Sequence, residues 1–472
     1  MLSSHVPDPG EVRQINFINE NTGDIGISFH PEKECAAMRP LHGLGNFAPL
    51  QNSGMQCRLP VLDMIRALQV PYSYFHDAPY ENPGLDLIDI SRLFPIFSAD
   101  ENDPANYRFA ENDAYLQNVV DSGTEIIFRL GESIEVSSGR RYRVNPPADY
   151  EKWANICLNI IRHYNEGWGD GFHWNIRDWA IWEEPNNPNL WTGKFEDYLR
   201  LYEVTSRKIK AAFPELRVGG PQTTTLGIRF LEQFLAFCRE KDLPLDFVNY
   251  TAYYHTPAEF LAETFVRRKI IDSYGYADVP MMINEWHGSP VWQSFSDHVG
   301  YLRESNRVGG FDGAVFAGTV LCGLQDTPVE KACYYAAATF GGYGLFNERR
   351  LPTPQYFLFE KFCGMFNNAR RRIALELDCD EPNVKGLAVL SNSENIEALI
   401  GCYLRKSRTI NITIPRGYQV DSVEIINREN PAFTTLRPWD FTLRDNTLSL
   451  RKTEEPELFF VRFTEKKDCH KK

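Results

Sequence analysis

Two adjacent glutamates, Glu183 and Glu184, lie in the run "DWAIWEEPNNPNLWTG" at residues 178–193, behind an apolar stretch, ahead of Pro185 and between tryptophans. Roughly 100 residues later Glu285 ends a second apolar run, "MMINEW". A solvated surface does not need tryptophan around its acids. Two carboxyls facing each other across a cleft can divide the work on one bond. In retaining glycoside hydrolysis one protonates the departing oxygen while the other attacks the anomeric carbon from the opposite face, with about 5–5.5 Å between them. The two must differ in protonation state, and their surroundings must set the difference. Next to Glu184, the like charge of Glu183 and desolvation by Trp182 both raise a carboxyl pKa, as a general acid requires. Each motif alone has a duller explanation, because Glu and Pro also favour first helical turns. Their pairing is what points to chemistry.

The elements that would position them come next. From about residue 38 to 320, apolar or β-rich runs alternate with helix-like ones. The strand candidates are "MRPLHGLG", "VPYSYFHD", "TEIIFRLG", "DWAIWEE", "LRVGGPQT", "DFVNYTAYY", "VPMMINEW" and "DGAVFAGT". Between them "YEKWANICLNIIRHYNE" and "KFEDYLRLYEVTSRKIKAAF" repeat apolar residues at three- and four-residue intervals, the second stopping at proline. Eight such units predict an α/β fold, a (β/α)8 TIM barrel of about 250 residues whose chemistry sits at the carboxyl ends of its strands. Glu184 ends the fourth strand and Glu285 the seventh, and three units of ordinary size separate them. After about residue 365, short alternating runs such as "NVKGLAVLSN", "RTINITIP" and "ELFFVRF" predict an additional C-terminal β-sandwich domain. The expected division is N-terminal strands at 1–30 that pack with the sandwich, the barrel at 31–365 and the sandwich at 366–472. The tail "KKDCHKK" is expected to be disordered.

Composition narrows the partners. The chain of 472 residues is 43 % hydrophobic and carries a formal charge of −13 with no long basic run, which argues against a phosphate-backbone ligand. No segment reaches the ~18 apolar residues of a membrane span. The expected partner is an oligosaccharide or glycoside, with no nucleic acid and no membrane, and a homo-oligomer is left open. None of the ten cysteines falls in a zinc spacing, and "MLSSHVPDPGEVRQ" lacks the apolar core of a signal peptide. No metal and no cofactor is expected, in a reducing, cytoplasmic setting. "HGLGNFAPLQNSG" is glycine-rich but lacks G-x-G-x-x-G and the P-loop lysine, and no G-x-S-x-G occurs.

At this level of detail "WAIWEEPNNPNLWTG" resembles the W-x-x-W-N-E-P-N signature around the acid/base of the clan A glycoside hydrolase barrels, particularly family 39, which holds β-xylosidases and α-L-iduronidases. "LRVGGPQTTT", "LDFVNYTAYY", "INEWHGS" and "YYAAATFGGYGLFNERRLPTPQYFLFEKF" are similar to that family's fifth strand, sixth strand, nucleophile segment and last loop and helix. The resemblance covers about residues 30–365. It implies Glu184 as acid/base and Glu285 as nucleophile. It also implies that Tyr253 approaches the nucleophile, that Trp286 lies against the same subsite, and that His76 matches the histidine of an R-x-H segment. Trp182 and Asn186, which flank the glutamate pair, join the substrate-binding set. Four positions depart from the pattern: Glu183 replaces asparagine, Tyr74 or Ser73 replaces arginine, Thr251 replaces histidine, and His287 replaces asparagine. In addition, "GAVFAGT", read as the eighth strand, carries no tryptophan. Glu183 therefore has two readings. Either it reads a sugar that differs at C2, through an axial hydroxyl or an amino group, or it raises the pKa of Glu184 or pairs with a cation such as Arg129.

Further polar residues follow the first three strands and could bond sugar hydroxyls: His42, Asn46, His76, Asp77, Arg129 and Glu132. Gln325 and Asp326 follow the expected eighth strand, and Arg39 or Arg129 would meet the carboxylate of a uronide. A non-catalytic carbohydrate-binding barrel and a transglycosidase remain as alternatives to the hydrolase.

Overall fold

The computed structural model describes residues 23–33, 35–48, 61–78, 86–135, 139–288, 298–337, 343–347 and 349–466; the tail and most of the opening segment lie outside these. After β1 (Ile25–His30), eight parallel strands close a barrel in chain order. They are β2 (Gly43–Gly45), β3 (Tyr72–Phe75), β4 (Glu125–Leu130), β5 (Asp178–Ile181), β6 (Arg217–Thr223), β7 (Phe247–Tyr254), β8 (Met281–Gly288) and β9 (Val329–Tyr335). The ring closes where Gly43, Leu44 and Gly45 pair with Cys333, Tyr334 and Tyr335. Its lumen is a packed core of Tyr72, Tyr74, Ile127, Ala180, Phe247, Met282 and Cys333. Large rings there require small neighbours: a Cβ on Gly43 would lie 2.2 Å from the Tyr72 ring, and one on Gly219 2.3 Å from that of Phe247.

The outer helices follow from local sequence. In Phe195–Ala212, Tyr198, Leu201, Tyr202, Thr205 and Ile209 form one buried stripe. In Pro257–Ser273, Thr256 and Glu259 form a reciprocal capping box with proline at the first turn.

The eighth strand needs a correction. "DGAVFAGT" is not a strand but the start of the helix Phe311–Leu324, and β9 is "VEKACYY". Every residue from Asp312 to Cys322 is buried, because this helix lies between the barrel and the C-terminal sheet. Phe316 meets Phe260 on the barrel side, while the Cys322 thiol donates to the Leu399 carbonyl on the other. A helix that is apolar all round has no periodicity to distinguish it from a buried strand. Gln325 and Asp326 therefore stand at the bottom of the barrel. Gln325 binds the backbone of Arg39, and Asp326 takes both guanidinium nitrogens of Arg372.

The remaining strands are β10 (Ala369–Asp378), β11 (Val384–Ser391), β12 (Ile396–Cys402), β13 (Arg408–Thr413), β14 (Tyr418–Ile426), β15 (Thr434–Thr435), β16 (Phe441–Arg444), β17 (Thr447–Lys452) and β18 (Glu457–Glu465). With β1 they form one curled sheet in the order β15-β14-β18-β12-β11-β10-β1-β13-β17-β16. β10 makes the fold-over: Ala369–Ile373 pairs with β11 and Ala374–Asp378 with β1. The two halves then enclose a second core, with Ile25, Ile27, Ile410 and Leu448 on one side and Ile396, Ala398, Phe459 and Val461 on the other. Among the described residues no helix is long and apolar enough to cross a membrane.

Candidate active site

The end of β5 explains how consecutive glutamates reach one cleft. Along a strand neighbouring side chains point to opposite faces. Here Trp182 (φ 67°) and Glu184 (φ 39°) are both left-handed, which breaks the alternation on each side of Glu183. Such conformations cost on the order of 1–3 kcal/mol each for non-glycine residues and gather at functional sites. The Trp182 amide still bonds the Leu130 carbonyl, and the Glu184 amide bonds that of Gln222, so the turn is tied to both neighbouring strands.

The three glutamates differ in their surroundings. Glu184 and Glu285 each keep 9 % of their surface exposed, whereas Glu183 keeps 1 %. Glu184 Oε2 accepts a bond from Asn187 Nδ2 at 2.9 Å. Burial raises its carboxyl above the usual range, against the pull of Asn187, Thr251 and the His76 charge. Glu285 Oε1 accepts from the Tyr253 hydroxyl at 2.5 Å, and its Oε2 lies 3.5 Å from His76 Nε2. Burial pushes Glu285 up to about 8; His76 opposes the rise, while the charges of Glu184 and Glu183 add to it. These carboxyls hold fewer charges than their number suggests, and they share protons.

Glu183 faces cations. Its Oε1 is 2.6 Å from His76 Nδ1, a short approach without an aligned hydrogen bond, and its Oε2 is 3.7 Å from Arg129 Nε. Burial carries Glu183 up to about 7, with His76 and Arg129 opposing. Burial also works against a charge on His76, but Glu183, Glu285 and Asp77 outweigh it and raise His76 well above the ordinary imidazole value. Asp77 Oδ1 accepts from the Ile134 amide, and Oδ2 lies 3.6 Å from His76 Nδ1. Burial disfavours its charge too, yet the bond to His76 and that neighbour's charge keep it below its ordinary value. Behind them Arg129 bonds Asp89 at 2.8 Å, and Glu132 accepts from the Ser91 amide and hydroxyl. Below the mouth, Gln222 Oε1 collects the hydroxyl of Tyr74 and the amides of Asn249 and Asn284, fixing the strand positions under Glu285.

Of the residues named from sequence, Glu183, Glu184, Glu285, His76, Asp77, Tyr253 and Arg129 converge here. Six do not serve as expected. His42 is fully buried against Phe362 and Phe366, where burial lowers it to about 3. Trp182 packs against Trp153 and Trp191 with its indole N–H on the Leu190 carbonyl. Trp286, on the strand face opposite Glu285, packs with Phe260 and Tyr334. His287 has both ring nitrogens occupied, by the Gly288 carbonyl and the Tyr334 hydroxyl, and burial lowers it to about 4. Asn186 uses both ends of its amide to clip Thr224. Arg39 donates to the Leu324 and Val329 carbonyls at the barrel bottom, out of reach of a sugar carboxylate at the mouth.

Sequence reading missed Asn187, the second asparagine of the opening motif, and Asp89, which no spacing marks. It also missed Tyr335, whose ring lies 5.0 Å from that of His76; the misplaced eighth strand hid it. His76, Asp77 and Glu183 offer ligand atoms within 4.8 Å of one another, the arrangement a metal ion could use. An imidazolium has only donors, so a charged His76 makes the trio an ion-pair cluster.

A family model described as glycosyl hydrolases family 39 matches residues 75–370. A beta-xylosidase of Geobacillus stearothermophilus is 29 % identical over 245 residues, 46 % of this chain and 47 % of that protein. A beta-xylosidase of Caldicellulosiruptor saccharolyticus is 25 % identical over 315 residues, 60 % of this chain and 58 % of that one. The chain thus spans about half the length of the curated relatives it matches. Among solved structures, a glucosidase from Croceicoccus marinus shares the fold with a TM-score of 0.71 at 21 % identity, over 94 % of this chain and 99 % of that one.

Proposed function

The chain belongs to glycosyl hydrolases family 39, and from that premise we propose that it is a retaining glycoside hydrolase with Glu285 as nucleophile and Glu184 as acid/base. One observation carries this reading: of the three mouth glutamates, the two that keep the more solvent contact come from the fourth and seventh barrel strands and have different partners. Glu184, bonded by a neutral amide, suits the protonated member. Burial raises Glu285 to about 8, but the phenol and the imidazolium that face it oppose that rise and favour the charged form a nucleophile needs. In the first step Oε2 or Oε1 of Glu285 attacks the anomeric carbon, and Glu184 gives its proton to the leaving oxygen. In the second, Glu184 takes a proton from water, which displaces Glu285 and restores both groups.

The activities named for the relatives make an aryl β-xyloside the first substrate to try and an aryl glucoside the second. The pairing of Glu183 with His76 and Arg129 favours its role as a charge partner over direct reading of C2. The test is a panel of aryl glycosides, including C2 epimers and uronides, run with wild type and Glu285→Ala. Aryl release by wild type alone, with the first-formed sugar keeping its anomeric configuration, is the expected result. Inversion would discard the double displacement. Silence across the panel, with glycosides still bound, would favour the carbohydrate-binding alternative. Added acceptor sugars that suppress hydrolysis in favour of new glycosides would mark a transglycosidase.

A further inference from the structure

Glu183 is the most buried of the three mouth glutamates. It nevertheless makes the closest charged contact in the site, to His76. Among the described residues His76 is the one cation whose side chain reaches both Glu183 and Glu285, with Nδ1 at 2.6 Å from the first and Nε2 at 3.5 Å from the second. We propose that Glu183 is a positioning residue: its carboxylate keeps His76 charged and turned toward Oε2 of Glu285, so that the nucleophile, bonded by Tyr253 at Oε1 and faced by the imidazolium at Oε2, loses its proton more readily than burial alone would allow.

The proposal rests on the assignment of Glu285 as nucleophile. The physical need is plain. Three carboxyls and Asp77 share one poorly solvated pocket, and without a cation between them the proton could settle on any of them. The surroundings of His76 leave few alternatives. From its own segment it meets Asp77 and the Tyr74 ring; from β5, Glu183; from β8, Glu285; and from β9, the Tyr335 ring. Asn46, at the end of β2, accepts from its backbone amide, and the Arg129 guanidinium from β4 lies behind Glu183 and favours the charged form of that carboxyl. Tyr253, from β7, joins the group through Glu285. The influence of His76 on the Glu285 carboxyl is larger than the direct influence of Glu183, and of opposite sign. Loss of Glu183 can therefore move the nucleophile either way, and the direction identifies the mechanism.

The experiment is the pH profile of kcat/KM for an activated aryl glycoside with wild type, Glu183→Gln and His76→Gln. If Glu183 works through His76, Glu183→Gln discharges the imidazole and the acid limb rises by about one pH unit, with kcat/KM on that limb falling about tenfold. His76→Gln should move the limb in the same direction. A limb that stays in place or moves down in Glu183→Gln overturns the proposal, since His76 would then hold its proton unaided. A merely structural role would lower the plateau without moving the limb. Imidazole 15N shifts provide a readout independent of turnover: His76 should be charged at pH 7 in wild type and neutral in Glu183→Gln. A neutral His76 in wild type overturns the inference whatever the activity. Wild type that hydrolyses no glycoside in the panel refutes the functional reading instead, and the 15N result still decides the charge of His76.

Discussion

The two ends of the barrel are both built from buried charge, and they use it in opposite ways. At the bottom, where strands begin, Asp178 lies between Lys331 at 2.8 Å and Arg217 at 3.4 Å, and those cations also take Glu125 and Glu330. Burial disfavours charge on Lys331 and Arg217, but Asp178 and the outer acids hold both above their ordinary values. Each charge has its opposite. At the mouth, Glu183, Glu184, Glu285 and Asp77 face His76 and an Arg129 already committed to Asp89. Among the described residues acids exceed cations there, and burial raises the three glutamate carboxyls. Paired charge fixes a structure; unpaired charge leaves protons free to move. This is the division expected of such barrels, with stability at one face and chemistry at the other.

The largest effects should separate the two ends by activity. Glu285→Ala should abolish aryl release. Glu184→Gln should lower kcat about 10²–10⁴-fold for poor leaving groups and much less for nitrophenyl ones, which need little protonation. Tyr253→Phe, which removes one charged hydrogen bond from the nucleophile, should cost about 10–100-fold in kcat/KM. Neither glutamate variant should lower the melting temperature, since each removes a carboxyl whose burial is unfavourable. A mouth variant that destabilised the protein as strongly as a bottom one would break the distinction.

Sequence made much of this visible, for reasons that also explain the gaps. Seven barrel strands were legible because each ends in a polar residue or a turn beside an amphipathic helix. The pairing of Glu184 with Glu285 was legible because strand spacing is regular in such barrels. Helix Phe311–Leu324 was not, because contact with the barrel on one side and the sheet on the other removes the polar face that gives a helix its period. His42 shows the opposite error: a polar type near a strand end suggested ligand, whereas packing against Phe362 and Phe366 decides its role. The His76–Glu183 contact joins residues more than 100 positions apart through the barrel's closure, and no local pattern announces it.

At the bottom, Asp178→Asn should leave kcat/KM unchanged and lower stability by about 2–3 kcal/mol, because it strands Lys331 and Arg217 half-buried beside an amide. The check is a thermal melt beside the aryl-glycoside assay, and equal loss in both would mean the lumen transmits damage to the mouth. The mouth should show its own, smaller stability signature in pH. A carboxyl raised on folding binds protons more tightly in the folded state, so its contribution is present below its unfolded value and is lost as pH rises through the folded one. For Glu285 that window runs from the ordinary carboxyl range up to about 8. Wild-type stability should decline across it, and Glu285→Gln should flatten the decline. An identical slope in the variant would place the titration elsewhere.

The smallest effect tests whether burial or distance grades the bottom network. Arg217 Nη2 lies 2.6 Å from Glu330 Oε2, closer than any approach Arg217 makes to Asp178, yet the Glu330 side chain is 39 % exposed while that of Asp178 is 5 %. An exposed pair is weakened by water and salt whatever its length. Glu330→Gln should therefore cost under about 0.5 kcal/mol, with a melting temperature close to wild type and a difference that vanishes at 1 M salt, where screening reaches about 3 Å. Arg217 keeps its hold through Asp178 and through the Phe247 ring beneath its guanidinium. A loss approaching that of Asp178→Asn, and insensitive to salt, would mean that Glu330 belongs to one cooperative cluster with the buried acid, and that the bottom depends on connectivity rather than on depth.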